Sequence, residues 1–239
     1  MRHKLFRGPR CPAPLRRGAP AAPLLIFCAV LLASHNLSAG QGSGLTAVAQ
    51  KSPAPSELAA PISSQLSDDG VRVTSGGVTL DFWWVKALPM KAGSGAPSWR
   101  DVEEGALIGA VRLSGNYRDI RGRNLKPAVY TLRYGIQPSN GDHLGVSPFR
   151  EFLLLSPATV DKDPAPQGHD GTVDLSKQSI GGSHPGVWSI DPPVATEAPL
   201  QSHKTELGHD AIIMQVPVDR GGQSGALKFG VVLVGKIEA

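Results

Sequence analysis

The sequence predicts a mainly β protein, an antiparallel β-sandwich of about seven or eight strands with one short helix. Two observations predict this class. Apolar and polar residues alternate with period two in several short segments, and turns rich in Gly, Asn, Asp or Pro separate those segments. We expect the β domain to cover residues 71–239, after a signal peptide over residues 1–39 and a flexible linker over residues 40–70.

Six segments carry the strand pattern. The clearest is Val129–Ile136, where Tyr130, Leu132 and Tyr134 alternate with Val129, Thr131 and Arg133. The other five are residues 78–84, 107–113, 149–155, 212–216 and 227–233. The glycine-rich turn at residues 221–225 joins the last two and predicts a C-terminal hairpin.

One segment favours a helix, residues 173–180, which Gly181 and Gly182 would end. Asp170 or Thr172 could supply an N-cap oxygen for its first amides. Residues 41–70 are rich in Ser, Ala, Pro, Gly and Gln and have few large apolar side chains. Such a composition buries too little to offset its ordering entropy, which predicts the linker; a short helix around Ser56 to Leu66 is the alternative.

The N-terminal segment has the three parts of a secretory signal peptide. Its first 39 residues hold six basic and no acidic residues, an apolar run from Ala19 to Ala33, and small residues at Ser38, Ala39 and Gly40. The apolar run has 15 residues, fewer than the roughly 20 that a spanning helix needs. We therefore expect an exported product, periplasmic or extracellular, with no membrane span after signal removal.

Removal of the signal changes the charge and the cysteine content. The whole chain has 24 basic and 20 acidic residues, whereas the chain without its six N-terminal basic residues has 18 and 20, a net charge of −2. No basic surface then indicates nucleic acid as a partner. Both cysteines, Cys11 and Cys28, lie in the signal, so the mature chain has no disulfide or thiolate metal site.

Catalytic and metal motifs are weak. The mature chain carries neither an H-E-x-x-H nor a G-x-S-x-G motif. Loop histidines could bind zinc or copper, and the acidic loop from Asp161 to Asp170 offers oxygen atoms for calcium, but no ligand spacing is diagnostic. No cofactor is predicted, and the alternative is a metal-binding envelope protein that uses His143 with some of His169, His184, His203 and His209.

Binding is the leading hypothesis, and five residues are its candidates. The loop 141–150 follows the clearest strand and carries Asp142, His143 and Arg150, and polar groups held at the end of a rigid strand often form binding sites. His184 could join them. Trp83 neighbours Trp84, and because adjacent strand residues point to opposite faces, one of the two lies away from the main core. The structural alternative is that Asp142 caps a turn, that Arg150 pairs with a carboxylate such as Glu151 or Asp119, and that Trp83 packs under a loop or helix.

The run at residues 125–134 (LKPAVYTLRY) resembles the P-G-x-Y-T-L strand entry of immunoglobulin-like and transthyretin-like sandwich modules, with Ala128 in place of the glycine. The order of residues 141–147, 150–155, 174–177 and 183–186 is similar to exported bacterial proteins of unknown function. The resemblance implies a β-sandwich and brings no activity or site residues. The sequence therefore predicts an exported non-catalytic protein with a binding or structural role in the cell envelope, its partner an unknown protein or envelope component.

Overall fold

The strands form one large curled sheet in the computed structural model, which describes residues 44–138, 149–192 and 196–235. The first strands are β1 (Thr46–Lys51), β2 (Leu66–Ser75), β3 (Val78–Val85), β4 (Leu88–Pro89), β5 (Leu107–Leu113), β6 (Tyr117–Arg118) and β7 (Asn124–Leu125). The others are β8 (Ala128–Ile136), β9 (Glu151–Pro157), β10 (Gly186–Asp191), β11 (Gln201–Lys204), β12 (Asp210–Asp219) and β13 (Ser224–Val234). Two α-helices, α1 (Ala60–Ser63) and α2 (Gly168–Ile180), and a 3₁₀ turn at Trp99–Asp101 lie between them.

Ten strands follow one another along the sheet in the order β1-β2-β3-β5-β8-β9-β10-β13-β12-β11, and every neighbouring pair is antiparallel. The short strand β4 pairs with β12 in parallel, and β6 pairs with β7 in a separate ribbon. The chain is thus mainly β, as predicted, but the expected sandwich of seven to eight strands is not confirmed. The six predicted strands are present as β3, β5, β8, β9, β12 and β13, and the C-terminal hairpin is present as β12 and β13.

The main core lies inside the curl. Trp84 of β3 packs edge-on against Phe229 of β13, with ring centroids 5.6 Å apart, although four strands separate β3 from β13 along the sheet. Trp188 of β10 lies 5.6 Å from Phe82, and its indole N–H donates to the buried hydroxyl of Tyr117 over 3.1 Å. Aromatic contacts between strands that are distant along the sheet require the sheet to curl around the main core.

The structure corrects the expected linker over its described part. Residues 46–51 pair with β2 over six positions, and β2 begins at Leu66. Leu58, Ile62 and Leu66 join the main core, with Ile62 completely buried. The composition of residues 41–70 dilutes these apolar residues among Ser, Ala and Pro, which hides their contribution to the core.

Helix α2 packs on the outer face of the sheet. It begins at Gly168, earlier than predicted, and its N-cap is Gln167 rather than Asp170 or Thr172. Its buried residues are small and polar, and Ser176 donates to the carbonyl oxygens of Leu155 (2.8 Å) and Gly186 (2.9 Å). Gly181 ends it in the left-handed region at φ 66°, as the sequence predicts. Within the described residues, no helix is both long and apolar enough to cross a bilayer.

Candidate ligand-binding pocket

A pocket of about 280 Å³ opens between helix α2 and the outer face of β8, β9 and β10. It arises because the two faces of β9 point in different directions. Leu153 and Leu155 enter the main core, whereas Phe152 and Leu154 belong to a separate apolar cluster on the face toward α2. The residues around the pocket are Glu104, Ile120, Arg121, Gly135, Ile136, Gln137, Pro138, Phe152, Leu154, His169, Thr172, Val173, Ser183, His184, Pro185 and Val187.

One wall of the pocket is apolar. Phe152, Leu154 and Val187 form the separate cluster, and Val173 of α2 packs against it. Gly135 on β8 preserves the space, since a Cβ there would come within 2.4 Å of Leu154 Cδ1. A second small cluster joins Ile120 of the pocket to Ala211 and Val232. This wall offers dispersion contacts and a surface from which water is readily displaced.

Glu104 and His169 also line the pocket and form a hydrogen-bonded pair, which we call the Glu104–His169 dyad. Glu104 Oε1 lies 2.7 Å from His169 Nδ1 and also accepts the backbone N–H of Ile136 over 2.9 Å. A carboxylate oxygen accepts, so Nδ1 carries a proton and donates to Glu104. The His169 side chain is 39 % exposed, and the Glu104 side chain is 27 % exposed.

Gly105 brings the two halves of the dyad together. It has φ 85°, and a Cβ at this position would lie 2.4 Å from the backbone nitrogen of Gly168. Only glycine therefore lets the loop before β5 approach the first turn of α2 so closely. The Gly105 carbonyl accepts the Gln167 N–H at 3.4 Å, and it also accepts Arg133 Nη1 at 2.8 Å.

The fully buried side chain of Arg133 connects the loop before β5 with the loop before α2. Arg133 Nε and Nη2 bond both oxygens of Asp161, at 2.7 and 2.8 Å. The remaining N–H groups donate to the carbonyl oxygens of Gly105, Ala165 and Asp163, so all five guanidinium donors have acceptors. Arg133 thus fixes the loop before α2 and the loop that carries Glu104 in one position.

Arg121 also lines the pocket. Its Nη2 donates to the carbonyl oxygen of Pro185 and lies 3.7 Å from Asp119 Oδ2. Asp119 is buried, and its Oδ1 accepts the backbone N–H groups of Arg121 and Arg123. Burial lowers the pKa of the Arg121 guanidinium, and the charge of Asp119 opposes that shift. The arginine is held by the chain on both sides, so it forms part of the frame of the pocket.

The predicted binding residues fall in different places. His184 lines the pocket, and its Nδ1 lies 2.9 Å from the hydroxyl of Ser183. Arg150 donates twice to the carbonyl oxygen of Gln137, at 2.7 and 3.1 Å, so it is tied to the pocket edge but is not one of its lining residues. Neither Glu151 nor Asp119 is its side-chain partner within 4 Å. Asp142 and His143 lie outside the described residues.

Trp83 does not form an exposed contact surface. It is 3 % exposed, and its indole N–H donates to the carbonyl oxygen of Ser52 over 3.0 Å. The segment expected to be a linker covers it, so the structural alternative describes this residue. Trp84 stacks on Phe82 with ring centroids 5.3 Å apart, and both side chains belong to the main core.

The described residues give no support to a metal centre, because no three His, Asp, Glu or Cys side chains among them are arranged to hold a cation. Both oxygens of Asp161 bond Arg133, and Thr131 Oγ1 also donates to Oδ2. The predicted calcium loop therefore has its first carboxylate neutralised by an arginine. His143, the main residue of the metal hypothesis, lies outside the described part of the chain.

His203 and His209 lie elsewhere, at the β11–β12 hairpin. Asp191 and His203 approach each other over Gly230 of β13, where a Cβ would lie 3.1 Å from Asp191 Cβ and 3.6 Å from His203 Cε1. Burial lowers the pKa of His203, and the charge of Asp191 opposes this. Burial raises the pKa of Asp191, whereas His203 and His209 oppose it and Glu206 adds to it. Among the described histidines, His169 and His184 line the pocket and His203 and His209 do not, so these four do not form one site.

Sequence analysis missed Glu104, Arg121 and the apolar pocket wall. The signals were present but weak. The segment Glu103-Glu104-Gly105 is typical of an ordinary acidic turn. Phe152 and Leu154 belong to a run of apolar residues, and the sequence does not show which residues of that run face the main core and which face a covering helix. Comparison of the chain with models of known protein families, with curated proteins and with solved structures found no match.

Proposed function

We propose that this protein is an exported, non-catalytic β protein that binds a small, largely apolar ligand in the pocket between α2 and the sheet. The observation that carries the proposal is the apolar cluster of Phe152, Leu154 and Val187, which faces a cavity of about 280 Å³ instead of the main core. A concave apolar wall with a few polar groups opposite is the usual composition of a small-molecule site. Export rests on the N-terminal signal sequence.

A binding role agrees with the geometry around Ser183 and His184. In a serine triad the hydroxyl faces Nε2 and a carboxylate faces Nδ1. Here the Ser183 hydroxyl lies 2.9 Å from Nδ1 of His184, the ring nitrogen that faces the carboxylate in a triad. Ser183 and His184 therefore do not have the arrangement of a serine triad. The resemblance to immunoglobulin-like and transthyretin-like exported modules stays a prediction, and it is compatible with a binding role in the cell envelope.

The proposal is tested by titrating the protein with 2-methoxynaphthalene and following backbone amide shifts by NMR. We expect the shifts to concentrate at β9, β10 and α2. Val173→Phe adds volume beside Phe152 and should weaken binding at least tenfold. Val48→Phe is the matched control, because Val48 is half exposed on β1 and its variant should bind as the parent does.

Shifts spread over other faces, or unchanged binding by a folded Val173→Phe protein, would remove the pocket from the function. Gly135→Val is a second variant that fills the same space from the sheet side. Export is checked separately by sequencing the N-terminus of the exported protein, which should begin near Gly40 or Gln41.

A further inference from the structure

The Glu104–His169 dyad fixes the orientation and the tautomer of a histidine that lines the pocket. Its carboxylate lies on Nδ1, so the neutral imidazole carries its proton there and Nε2 keeps a lone pair. The second contact of Glu104, with the N–H of Ile136, fixes the carboxylate on β8 and prevents it from following the ring elsewhere. No described residue hydrogen-bonds Nε2, and the ring borders the pocket.

The pocket volume limits the body of the ligand. An engineered apolar cavity of about 150 Å³ accommodates benzene, so about 280 Å³ has room for roughly two fused rings or a branched aliphatic group of similar size. The apolar wall of Phe152, Leu154 and Val187 suits such a body. Arg121 is paired with Asp119, and Glu104 Oε1 already accepts from His169 Nδ1 and from the backbone N–H of Ile136.

We propose that the ligand is a compact apolar alcohol or phenol whose hydroxyl donates to His169 Nε2. This inference rests on the proposed function, since it names the ligand class of the same pocket. Glu104 is a positioning residue: it acts through the tautomer of His169. An ether of the same body lacks the proton and cannot donate to Nε2, which costs affinity.

The experiment compares 2-naphthol with 2-methoxynaphthalene, two probes that share the ring system and differ in the donor proton. Dissociation constants are measured by calorimetry in the same buffer for both probes. We expect the parent protein to bind 2-naphthol at least about fivefold more tightly than its methyl ether. In His169→Phe the ratio should fall to about one while the ether still binds.

Glu104→Gln gives a result that a merely structural role would not. A glutamine amide can donate to Nδ1, which moves the imidazole proton to Nε2 and turns the acceptor into a donor. The preference for naphthol should then disappear or reverse in favour of the ether, and ¹⁵N NMR should report the changed tautomer of His169. His209→Phe, at a histidine of the β11–β12 hairpin that does not line the pocket, is the matched control and should keep the parent ratio.

The outcomes separate the two proposals. If the parent binds both probes equally in the pocket, the donor inference fails and the binding function stands. If the parent prefers naphthol but His169→Phe keeps that preference, another acceptor is responsible and the assignment of His169 is wrong. If neither probe binds, the proposed function fails as well.

Discussion

Arg133 shows how one residue can organise several loops. On the sequence it belongs to the polar half of an alternating strand, a position typical of an exposed side chain. In the fold the loop before α2 covers that face, and the guanidinium is completely buried with five bonded donors. A buried charge is tolerated only when it is paired and its hydrogen bonds are complete. Asp161 and three backbone carbonyls meet that requirement.

Replacing Arg133 by Met should lower the free energy of unfolding by about 3–5 kcal/mol, because Asp161 is left as an unpaired buried charge. The measurement is urea unfolding followed by circular dichroism. The matched control is Arg112→Met: Arg112 Nη2 bonds both oxygens of Glu57, at 2.9 and 2.8 Å, but the two side chains are 41 % and 51 % exposed. We expect a loss of about 1 kcal/mol or less there. Equal losses in the free energy of unfolding at the two sites would show that burial does not increase the contribution of the Arg133 network to stability.

Gly105 and Glu104 make the same point for the pocket. Neither type of residue is diagnostic in a sequence, because acidic turns with glycine are common on protein surfaces. Their role follows from the 2.4 Å separation between a hypothetical Gly105 Cβ and the Gly168 nitrogen, a distance between residues 63 positions apart. Local patterns contain no information about such a contact.

At the scale of elements, the long alternating strands were predictable and the short or edge elements were not. Strands β3, β5, β8, β9, β12 and β13 each bury several apolar residues, so their period is visible in the sequence. Strand β1 is an edge strand with a mostly exposed pattern, and β2 is interrupted by Asp68, Asp69 and Gly70. Pairing with β3 stabilises β2 in spite of its composition, which is a tertiary effect that propensity does not report.

The β1–α1 segment can be tested as part of the core. Ile62 in α1 has no exposed surface, so Ile62→Ala should lower the free energy of unfolding by about 2–5 kcal/mol through lost burial and the cavity left behind. Thermal and urea unfolding measure the change. Val48→Ala on β1 removes a half-exposed side chain and should change stability by about 0.5 kcal/mol or less. A flexible linker would give a negligible effect at both positions, and that result would contradict the packing of α1.

Helix α2 is the element on which the pocket depends. Its sheet-facing residues Thr172, Ser176 and Ser179 are small, so the helix lies close to β9 and β10, and Gly186 permits this approach with a hypothetical Cβ only 2.4 Å from Ser179 Oγ. The first turn of the helix, with His169, stands at the polar end of the pocket. A serine-rich helix without an apolar stripe gives a weak helix signal in the sequence. For this reason the predicted start at residue 173 is later than the observed start at Gly168.

The stability of the whole molecule should depend on pH through His203 and Asp191, which lie beside Gly230 of β13. Burial lowers the pKa of His203 below its ordinary 6.5, so the unfolded chain takes up a proton that the native protein resists as the pH falls below that value. The free energy of unfolding should therefore decrease from pH 7 toward pH 5.5. Asp191 has a raised pKa and contributes with the opposite sign nearer the ordinary aspartate range.

His203→Gln should make this acid-dependent loss shallower, as measured by urea unfolding at several pH values. Asp191→Asn should make the loss steeper. The variant lacks the negative charge that favours protonated His203, so burial lowers the pKa of His203 without that opposition. His209 and Glu206 also face Asp191, and both remain in each variant. Identical pH profiles for the parent and His203→Gln would show that this histidine does not set the dependence.

Local residue patterns are sufficient to predict the β class, the six long strands, the C-terminal hairpin and the end of α2, because each depends on a local period or on the backbone freedom of glycine. They also show that the two cysteines lie in the N-terminal segment and that the rest of the chain is slightly acidic. Three features follow from the folded arrangement alone: one sheet of ten strands curls around its own core, Trp83 is covered, and Glu104 and His169 meet beside an apolar cavity. The reason is that these features join residues distant in sequence, and their free energy comes from burial and pairing that exist only after the chain has folded.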